Sequence, residues 1–451
     1  MAEVVVVGAG LGGLAVAARL AKLGHRVAVC ERADTAGGAI RSVEADGFRW
    51  DSGPASTTLP AVLRDLFRKS GRPIERYLDL TMRPVARRHV FPDDSVVDLP
   101  TGSRAQQTEV VEAALGRGTG ASWTTYVDAQ AETWERLRQR VLEPADGAAA
   151  LADRALARQL KARTSLASLH RKAFKDGRLR LMAEHPFVLA GSSPHDVPAF
   201  AAVEAYVERT FGVWSLDGGL AQLTQALLTR LDERGVRVNL GTEVTALSTS
   251  HGRVTGVVTE TGDRLAAEVV VTDIDPRRVF GDLLGGDPRL PGHQVFGSAT
   301  PAIPVAVTHL GLEGELPELP AEVVLYGEQL LVVNTSGFAP EGRQAWTVLR
   351  RGSAREDVLV TLDRRGIDIR KNVVTRLDRT PVDLTNETNG SSYGLAWAGW
   401  RAHVQRAAQT HPLPGLYLLG ASMHPGSSIP YVGWGAAHVA ARIGKARAAA
   451  G

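Results

Sequence analysis

Three glycines near the N-terminus have the spacing of a dinucleotide-binding turn. Gly8, Gly10 and Gly13 form the pattern GxGxxG directly after the apolar run EVVVV. In such a turn the first glycine permits a tight bend, the second admits a pyrophosphate to the backbone, and the third allows close helix–strand packing. The helix that follows offers free N–H groups and its positive dipole end to the phosphates. The spacing therefore predicts a site that binds a dinucleotide.

The elements that must hold this turn are also predicted by the sequence. The four valines indicate a strand buried on both faces, and the helix after the turn is expected to end at Gly24. The stretch HRVAVCER then predicts a second strand. Glu31 stands at its end, about twenty residues after the glycines, where an acid binds ribose hydroxyls. These features favour dinucleotide binding over a turn without function, but they do not choose between nicotinamide and flavin.

The stretch ERADTAGGAIRSVEADGFRWDSGP, residues 31–54, contains a glycine pair and a later Gly-Pro turn. It resembles the FAD-binding N-terminus of the superfamily of phytoene desaturases, protoporphyrinogen oxidases and amine oxidases. In that superfamily the pair that matches Gly37 and Gly38 passes close to the FAD diphosphate, and the Gly-Pro turn lies beside the flavin ring. Many members carry a basic residue directly after the pair, where this chain has Ala39. The resemblance implies that Arg41 supplies this charge instead.

Residues 211–276 are similar to the bacterial phytoene desaturases in particular. GGLAQLTQALLTRLDERG has apolar residues at helical spacing, and VRVNLGTEV predicts a strand after it. In that family the residue that matches Val244 holds the adenine through its backbone, and the stretch VVVTDIDP returns the chain to the FAD-binding domain. The alternative is that Val244 is only a strand valine.

The C-terminal stretches SYGLAWAGW and PGLYLLGASMHPGSSIP are similar to the end of phytoene desaturases. In that family the strand brings a glycine and small residues to the flavin, because the backbone must approach a flat ring closely. The next helix directs its N-terminus at the pyrimidine edge, where it stabilises negative charge on the reduced ring. Gly420 to Ser422 are therefore expected at the flavin, with Ile429 and Pro430 at the helix start.

The motifs and the resemblance together give one set of expected FAD contacts. These residues are Gly8, Gly10, Leu11, Gly12, Gly13, Glu31, Arg32, Gly37, Gly38, Ala39, Arg41, Gly53, Pro54, Val244, Gly420, Ala421, Ser422, Ile429 and Pro430. No metal site is predicted.

The order of the three stretches predicts an α/β fold with two domains. The first is a Rossmann-type FAD-binding domain with a mixed sheet, similar to that of glutathione reductase. It is assembled from discontinuous segments at about 1–60, 211–290 and 388–451. The intervening residues, about 61–210 and 291–387, are expected to form an α+β substrate-binding domain. A chain of 451 residues is long enough for two such cores.

The bulk composition is that of an ordinary globular protein. The net charge is only +3, too little to indicate a nucleic-acid partner. Cys30 is the only cysteine, so it forms no intramolecular disulfide, and no apolar run is long enough to span a membrane. A cytoplasmic protein is expected. Residues 152–180 contain nine Lys or Arg and only two Asp. This basic stretch could form a surface that binds anionic lipid or simply a solvated helix face.

Removal of a proton during catalysis needs an acid or a base. The candidates are Asp51 beside the expected flavin ring, His424 in the SMHPG turn, and His309. Each has a structural alternative, a turn-stabilising role for Asp51 and a hydrogen-bonded polar group for the histidines. Amine oxidases of the superfamily commonly place a lysine near the reactive edge. The corresponding stretch here, SATPAIPVAVTHLGLEG, has none.

The sequence is interpreted as an FAD-dependent desaturase or oxidase that transfers a hydride to flavin. The expected substrate is a hydrophobic small molecule, either isoprenoid or carotenoid-like or a secondary metabolite. The absence of a second GxGxxG predicts oxygen or a quinone as the electron acceptor. The alternatives are a protoporphyrinogen-oxidase-like enzyme or amine oxidase, a flavin-dependent isomerase or cyclase without net electron transfer, and a flavin-binding protein without catalysis.

Overall fold

The computed structural model describes residues 1–352 and 356–446. The strands are β1 (Glu3–Val7), β2 (Arg26–Cys30), β3 (Ser42–Ala45), β4 (Phe48–Asp51), β5 (Leu80–Met82), β6 (Val85–Val90), β7 (Val96–Pro100), β8 (Trp214–Leu216), β9 (Arg237–Asn239), β10 (Val244–Ser250), β11 (Arg253–Thr259), β12 (Arg264–Ala266), β13 (Val269–Thr272), β14 (Ala306–Glu313), β15 (Glu322–Leu325), β16 (Leu330–Gly337), β17 (Arg343–Arg351), β18 (Val373–Arg379) and β19 (Leu416–Leu418).

The α-helices lie between these strands in chain order. They are α1 (Leu11–Lys22), α2 (Pro60–Ser70), α3 (Arg104–Leu115), α4 (Thr119–Asp128), α5 (Ala131–Leu137), α6 (Gly147–Ala150), α7 (Arg154–Gln159), α8 (Leu166–Ala173), α9 (Gly177–Leu189), α10 (Val203–Phe211), α11 (Gln222–Asp232), α12 (Pro276–Arg278), α13 (Pro291–Gly297), α14 (Val358–Arg364), α15 (Pro381–Thr388), α16 (Gly399–Ala407) and α17 (Ile429–Ile443).

A five-stranded sheet has the order β19, β13, β1, β2 and β9, and every neighbouring pair is parallel. In its central strand, Val5 pairs with Val270 on one side and Ala28 on the other. The sheet joins three distant parts of the chain, and the adjoining strands β10 to β12 form a separate antiparallel sheet. The predicted Rossmann-type α/β fold built from discontinuous segments is confirmed, whereas the domain boundaries stay a prediction.

Both faces of the parallel sheet are covered, which is why its central strand is almost wholly apolar. On one face α1, α11 and α17 bury side chains such as Leu14, Leu227 and Val439. On the other face lie the sheet of β10 to β12 and two stacked rings, Phe280 and Phe296, with 5.5 Å between their centroids. Removal of these apolar surfaces from water stabilises the unit.

A seven-stranded mixed sheet has the order β18, β14, β17, β16, β15, β6 and β7. Only the pair β15 and β6 is parallel. One face packs on helices that include α3, α4 and α9, through rings such as Trp123 and Phe174, and the other face packs on α14. A tight hairpin with its turn at Asp93 and Asp94 joins β6 to β7. These strands and helices form the predicted α+β part of the molecule.

The carboxyl ends of three parallel strands meet at one edge of the five-stranded sheet. β1 ends at Val7 directly before the glycine turn, β13 ends at Thr272, and β19 ends at Leu418. Because these strands are neighbours and run in the same direction, the loops that follow them converge. Residues from the beginning, the middle and the end of the chain therefore meet at this edge.

The close packing of α1 on β1 depends on Gly13. A Cβ at this position would overlap the carbonyl oxygen of Gly8, whereas a Cβ on Gly297 in α13 would meet nothing within 4 Å. We expect Gly13→Ala to lower the free energy of unfolding by about 1–3 kcal/mol, because helix and strand must separate. Gly297→Ala serves as the control and should change it little. Urea unfolding measures both, and equal stabilities would contradict the packing role of Gly13.

Candidate cofactor and substrate site

A cavity of about 500 Å³ begins at the carboxyl ends of the parallel strands and extends beneath the seven-stranded sheet. Most of the residues predicted to contact FAD line it. They are Gly8, Gly10, Leu11, Gly12, Glu31, Arg32, Gly37, Gly38, Ala39, Gly53, Pro54, Val244, Gly420, Ala421, Ser422, Ile429 and Pro430. The structure thus brings residues from three distant stretches to one cavity wall.

The two glycine turns near the N-terminus contact each other. The N–H of Gly37 donates to the carbonyl oxygen of Ala9 at 2.9 Å, and Gly37 has a left-handed φ of 116°. A Cβ on Gly38 would lie 3.3 Å from the Cα of Gly10. Gly10 precedes α1 without a side-chain cap, and the first turn of the helix has no acidic residue. This helix N-terminus is therefore suited to a phosphate.

Glu31 is held rigidly at the end of β2. Its carboxylate accepts the N–H of Ala9 at 2.7 Å and the N–H of Ala33 at 2.9 Å. Each oxygen keeps a lone pair for a further donor such as a ribose hydroxyl. The neighbouring Arg32 donates to the carbonyl oxygen of Asn386 at 2.9 Å, which ties this corner to α15.

Two predicted cofactor contacts, Gly13 and Arg41, do not line the cavity. Gly13 lies beneath the turn, where α1 packs on β1. Arg41 forms an ion pair with Glu387, a residue that does line the cavity, and Arg379 pairs with the same carboxylate. The structure therefore brings Glu387 to the wall and places the Arg41 charge behind it. A contact between Arg41 and the FAD diphosphate stays a prediction. The ion pair with Glu387 does not favour it.

Asp273 is a site residue that sequence reasoning missed. It follows β13 and lines the cavity, and its Oδ2 accepts the N–H of Gly13 at 2.7 Å. A Cβ on Gly10, Gly12 or Gly420 would lie under 3.0 Å from one of its carboxylate oxygens. The carboxyl group therefore fills the space where the glycine turn and the C-terminal turn meet. An acid directly after a buried apolar strand was the available signal.

The protonation of Asp273 is shifted by its surroundings. Removal from water raises the pKa of the carboxyl to about 7, the Gly13 N–H opposes this rise, and the nearby Glu31 carboxylate adds to it. At neutral pH the group is thus divided between its acid and its anion. An anionic ligand beside it favours the protonated form.

The turn after β19 presents backbone and small side chains to the cavity. Gly420 has a φ of 105°, in the left-handed region that favours glycine. It is followed on the cavity wall by Ala421 and Ser422. The helix α17 then begins at Ile429, after Ser428, whose Oγ accepts a backbone N–H of the first turn. This arrangement allows a flat ring to approach the backbone, with a helix N-terminus near its edge.

Asp51 does not line the cavity. Its carboxylate accepts the N–H groups of Leu220 and Ala221 at 3.0 and 2.9 Å, directly before α11 begins. Burial raises the pKa of Asp51, and the two backbone N–H bonds oppose this rise. The contacts favour the structural alternative, in which Asp51 fixes the start of α11 to β4, over the catalytic role that the sequence suggested.

His424 also lies away from the cavity wall, although its loop contributes several residues to it. Its Nε2–H donates to the carbonyl oxygen of Val141 at 3.2 Å, and its ring centroid lies 6.2 Å from those of His403 and His438. Burial lowers the pKa of His424 to about 3, and the other two histidines contribute. A catalytic role for His424 stays a prediction, and these contacts do not favour it because the side chain is not on the cavity wall.

His309 lies in β14, a strand of the seven-stranded sheet, and is fully buried. Its Nδ1 is 3.0 Å from the hydroxyl of Thr347, and its Nε2 accepts from Arg379 at 3.4 Å. Both ring nitrogens therefore have partners within the protein. This placement agrees with the hydrogen-bonded structural role that the sequence left open.

The far end of the cavity combines apolar strands with an ion network. The apolar lining includes Val213, Val305, Val307, Val332 and Leu349. Arg87 donates to both carboxylate oxygens of Glu208 at 2.7 and 2.6 Å, and to Glu322 at 2.8 Å. No sequence motif predicts this network, because its members are far apart in the chain and VARRHV does not show which arginine faces inward.

The residues at the near end fit the FAD that the sequence predicts. The glycine turn leaves room for a diphosphate at a helix N-terminus, and Glu31 is positioned for a ribose. FAD, when bound, supplies a ring that accepts a hydride. In the described residues no group of His, Cys, Asp or Glu forms a candidate metal site. The contacts of the individual residues with FAD stay a prediction.

Comparison with known proteins identifies relatives along the whole chain. Residues 11–277 match the family described as flavin containing amine oxidoreductase. Hydroxyneurosporene desaturase of Cereibacter sphaeroides is 28% identical over 98% of this chain and 97% of its own. The 4,4'-diapolycopene oxygenase of Methylomonas is 27% identical over 95% of each chain.

Solved structures share the fold at lower identity. Putrescine oxidase bound to putrescine superposes with a TM-score of 0.71 at 17% identity and covers 98% of both chains. Cyclohexylamine oxidase of Brevibacterium oxydans gives a TM-score of 0.65 at 14% identity over 98% of this chain and 99% of its own.

Substitution of Asp51 separates its structural role from a catalytic one. Asp51→Ala loses both bonds to the start of α11 and should lower the free energy of unfolding by about 1–2 kcal/mol. Asp51→Asn keeps one oxygen acceptor but turns its NH2 donor towards the other N–H, so it should also lose stability, with FAD binding unchanged. Thermal melting and FAD titration measure these effects. A stable Asp51→Asn protein whose flavin is reduced a hundredfold more slowly would instead show a catalytic Asp51.

Asp273 should make FAD binding depend on pH. Its folded pKa near 7 lies above the value of about 3.9 in an unfolded chain. Its contribution to apo-protein stability is thus full at low pH and lost as the pH rises through 7. The FAD diphosphate favours the same protonated form, so we expect tighter FAD binding at pH 6 than at pH 8. Fluorescence titration of FAD at both values measures the difference.

Asp273→Asn provides the matched test of this pH dependence. The amide has the same shape but does not ionise, so FAD affinity should become nearly independent of pH. Asp217→Asn, which changes an exposed carboxylate, is the control, and its FAD affinity should depend on pH as that of the unchanged protein does. Equal pH profiles for Asp273→Asn and the unchanged protein would contradict the role given to this carboxyl.

Proposed function

We propose that this chain, which belongs to the family of flavin containing amine oxidoreductases, oxidises a largely apolar small molecule. The chain is an FAD-dependent oxidoreductase, as its family and its desaturase and oxygenase relatives indicate. The proposed reaction takes a hydride from a carbon of the substrate to the flavin and releases a proton. In a desaturation, the loss of these two hydrogens forms a carbon–carbon double bond.

The observation that carries this proposal is the continuity of the cavity. Its near end has the turns expected for FAD, and its far end is lined by valines and leucines of the seven-stranded sheet. A substrate bound there would lie against the expected flavin ring, in surroundings from which water is largely removed. An apolar chain is stabilised by such walls, and a fixed position beside a hydride acceptor is what the reaction chiefly requires.

The names of the relatives support an isoprenoid or carotenoid-like substrate. One desaturase is named for hydroxyneurosporene and one oxygenase for diapolycopene. The cavity wall in the described residues contains no lysine. We therefore favour oxidation of an isoprenoid over amine oxidation and protoporphyrinogen oxidation. Oxygen or a quinone is proposed as the acceptor that takes two electrons from the reduced flavin.

Anaerobic mixing of the FAD-loaded protein with acyclic isoprenoids tests this function. We expect acyclic carotenoids or shorter isoprenoids to bleach the oxidised flavin spectrum, and oxygen to restore it. Putrescine under the same conditions is the control and should leave the spectrum unchanged. Isomerised product without bleaching would favour the isomerase alternative, and bleaching by putrescine but by none of the isoprenoids would contradict the proposed substrate class.

A second part of the proposal concerns the membrane surface from which an apolar substrate would come. None of the helices in the described part of the chain has the length and apolar character needed to cross a bilayer. An open groove beside α7 and α16 is lined by five exposed basic residues, Arg154, Arg158, Lys161, Arg163 and Arg401. Within the described residues none of them forms an ion pair. We propose that this surface contacts anionic lipid.

Charge reversal tests the lipid contact. The double variant Arg158→Glu and Lys161→Glu should weaken binding to vesicles containing phosphatidylglycerol by more than about tenfold. The reason is that each basic residue near an anionic membrane contributes about 1 kcal/mol to binding. The double variant Arg253→Glu and Arg264→Glu changes the net charge equally on another exposed surface and should bind as the unchanged protein does. Co-sedimentation measures both, and equal losses would contradict a specific surface.

A further inference from the structure

The far end of the cavity contains ion pairs that balance one another. Arg87 pairs with Glu208 and Glu322, and Arg83 lies 3.5 Å from the same Glu322 carboxylate. Two guanidinium groups thus neutralise two carboxylates. A substrate that was a plain hydrocarbon would need none of these groups, and burial of charge without a ligand is costly unless every charge is paired.

Glu204 is an additional carboxyl beside this balanced network. It precedes Glu208 by one turn of α10 and lines the same cavity. Its Oε1 accepts the hydroxyl of Tyr431 at 2.8 Å. In the described residues its Oε2 has no hydrogen-bond partner, and no cation pairs with it. Glu204 therefore offers one free acceptor oxygen to whatever fills the cavity.

Two other polar side chains on the cavity wall each have one polar atom without a hydrogen-bond partner in the described residues. His185 is 5% exposed, and its Nδ1 bonds to the carbonyl oxygen of Met182 at 2.8 Å, while its Nε2 has no partner in the described residues. Asn334 is 6% exposed, and its Oδ1 has none. Buried polar groups are nearly always paired. Unpaired groups around one cavity thus point to a polar ligand there.

We propose that the substrate carries a hydrogen-bond-donating group, a hydroxyl or an ammonium, on an otherwise apolar chain, and that Glu204 receives this group. The inference rests on the proposed function and names its substrate class more closely. Because Tyr431 follows Pro430 at the start of α17, its bond to Glu204 places this carboxyl between the ion network around Arg87 and the turn where the flavin ring is expected.

The two donor types differ in their response to pH. Burial raises the pKa of Glu204 to about 7, the Tyr431 hydroxyl opposes this rise, and the Glu208 carboxylate adds to it. An ammonium prefers the ionised carboxylate and should bind more tightly at pH 8 than at pH 6. A hydroxyl donates to either form and should change little. Glu208 on α10 and Tyr431 on α17 are the titratable groups that act on Glu204. The same cavity is lined by His185 on α9, Arg87 on β6 and Glu322 on β15.

The experiment compares three acyclic isoprenoids of equal length, namely a hydrocarbon, its primary alcohol and its primary amine. Each is titrated into the FAD-loaded protein without oxygen, and binding is read from the change in flavin absorbance. We expect the alcohol or the amine to bind at least about tenfold more tightly than the hydrocarbon, which corresponds to one satisfied buried hydrogen bond. Titration at pH 6 and pH 8 distinguishes the two donors.

Three variants connect this preference to the carboxyl group. Glu204→Leu should remove the preference for the polar compounds. Glu204→Gln keeps an oxygen acceptor and should retain the preference for the alcohol while losing any rise in amine affinity with pH. Glu341→Gln, on an exposed loop, is the matched control and should bind as the unchanged protein does.

The outcomes separate this inference from the proposed function. Equal affinities for all three compounds, or a preference that Glu204→Leu leaves intact, would overturn the inference and leave oxidation of an apolar substrate standing. Flavin reduction by the hydrocarbon, and by neither polar compound, would also overturn the inference while leaving the proposed function standing. A loaded protein that binds none of the compounds, with no change of the flavin spectrum, would overturn both.

Discussion

The carboxyl group of Asp273 is the point at which three distant parts of the chain meet. It accepts the Gly13 N–H, and a Cβ on Gly10, Gly12 or Gly420 would come under 3.0 Å from its oxygens. The backbones of the first and last turns can approach so closely only because these positions lack side chains. The parallel order of β19, β13 and β1 aligns the three segments, and the carboxyl group fills the space between them. The shape of the near end of the cavity follows from this contact.

The same contact couples the site to the protonation of the protein. A phosphate at the N-terminus of α1 would share that helix end with the Asp273 carboxyl, so that the protonated acid suits the loaded state and the anion does not. The far end of the cavity depends on a different balance, between apolar strand residues and the paired charges of Arg87, Glu208 and Glu322. One cavity thus has an end suited to an anionic cofactor and an end suited to an apolar molecule with a polar group.

The sequence predicted the parts of the site that depend on local pattern. The glycine spacing, the acid at the end of β2 and the turn after β19 are each readable within about thirty residues, and the structure brings them to one cavity. The catalytic expectations for Asp51, at the end of β4, and for His424, in a loop, depended on the direction in which each side chain faces, which no spacing determines. Asp273 and the network around Arg87 depend on contacts between segments more than one hundred residues apart. Such contacts are set by topology and therefore became visible only in the folded chain.

FAD is expected to lie across the converging turns of β1, β13 and β19, with its ring at the apolar cavity. A crystal structure of the FAD complex would show this arrangement. We predict diphosphate oxygens about 3 Å from backbone N–H groups of the turn between Gly8 and Gly12, and the flavin ring against Gly420 to Ser422. A diphosphate bound elsewhere, or a flavin ring away from the C-terminal turn, would contradict it.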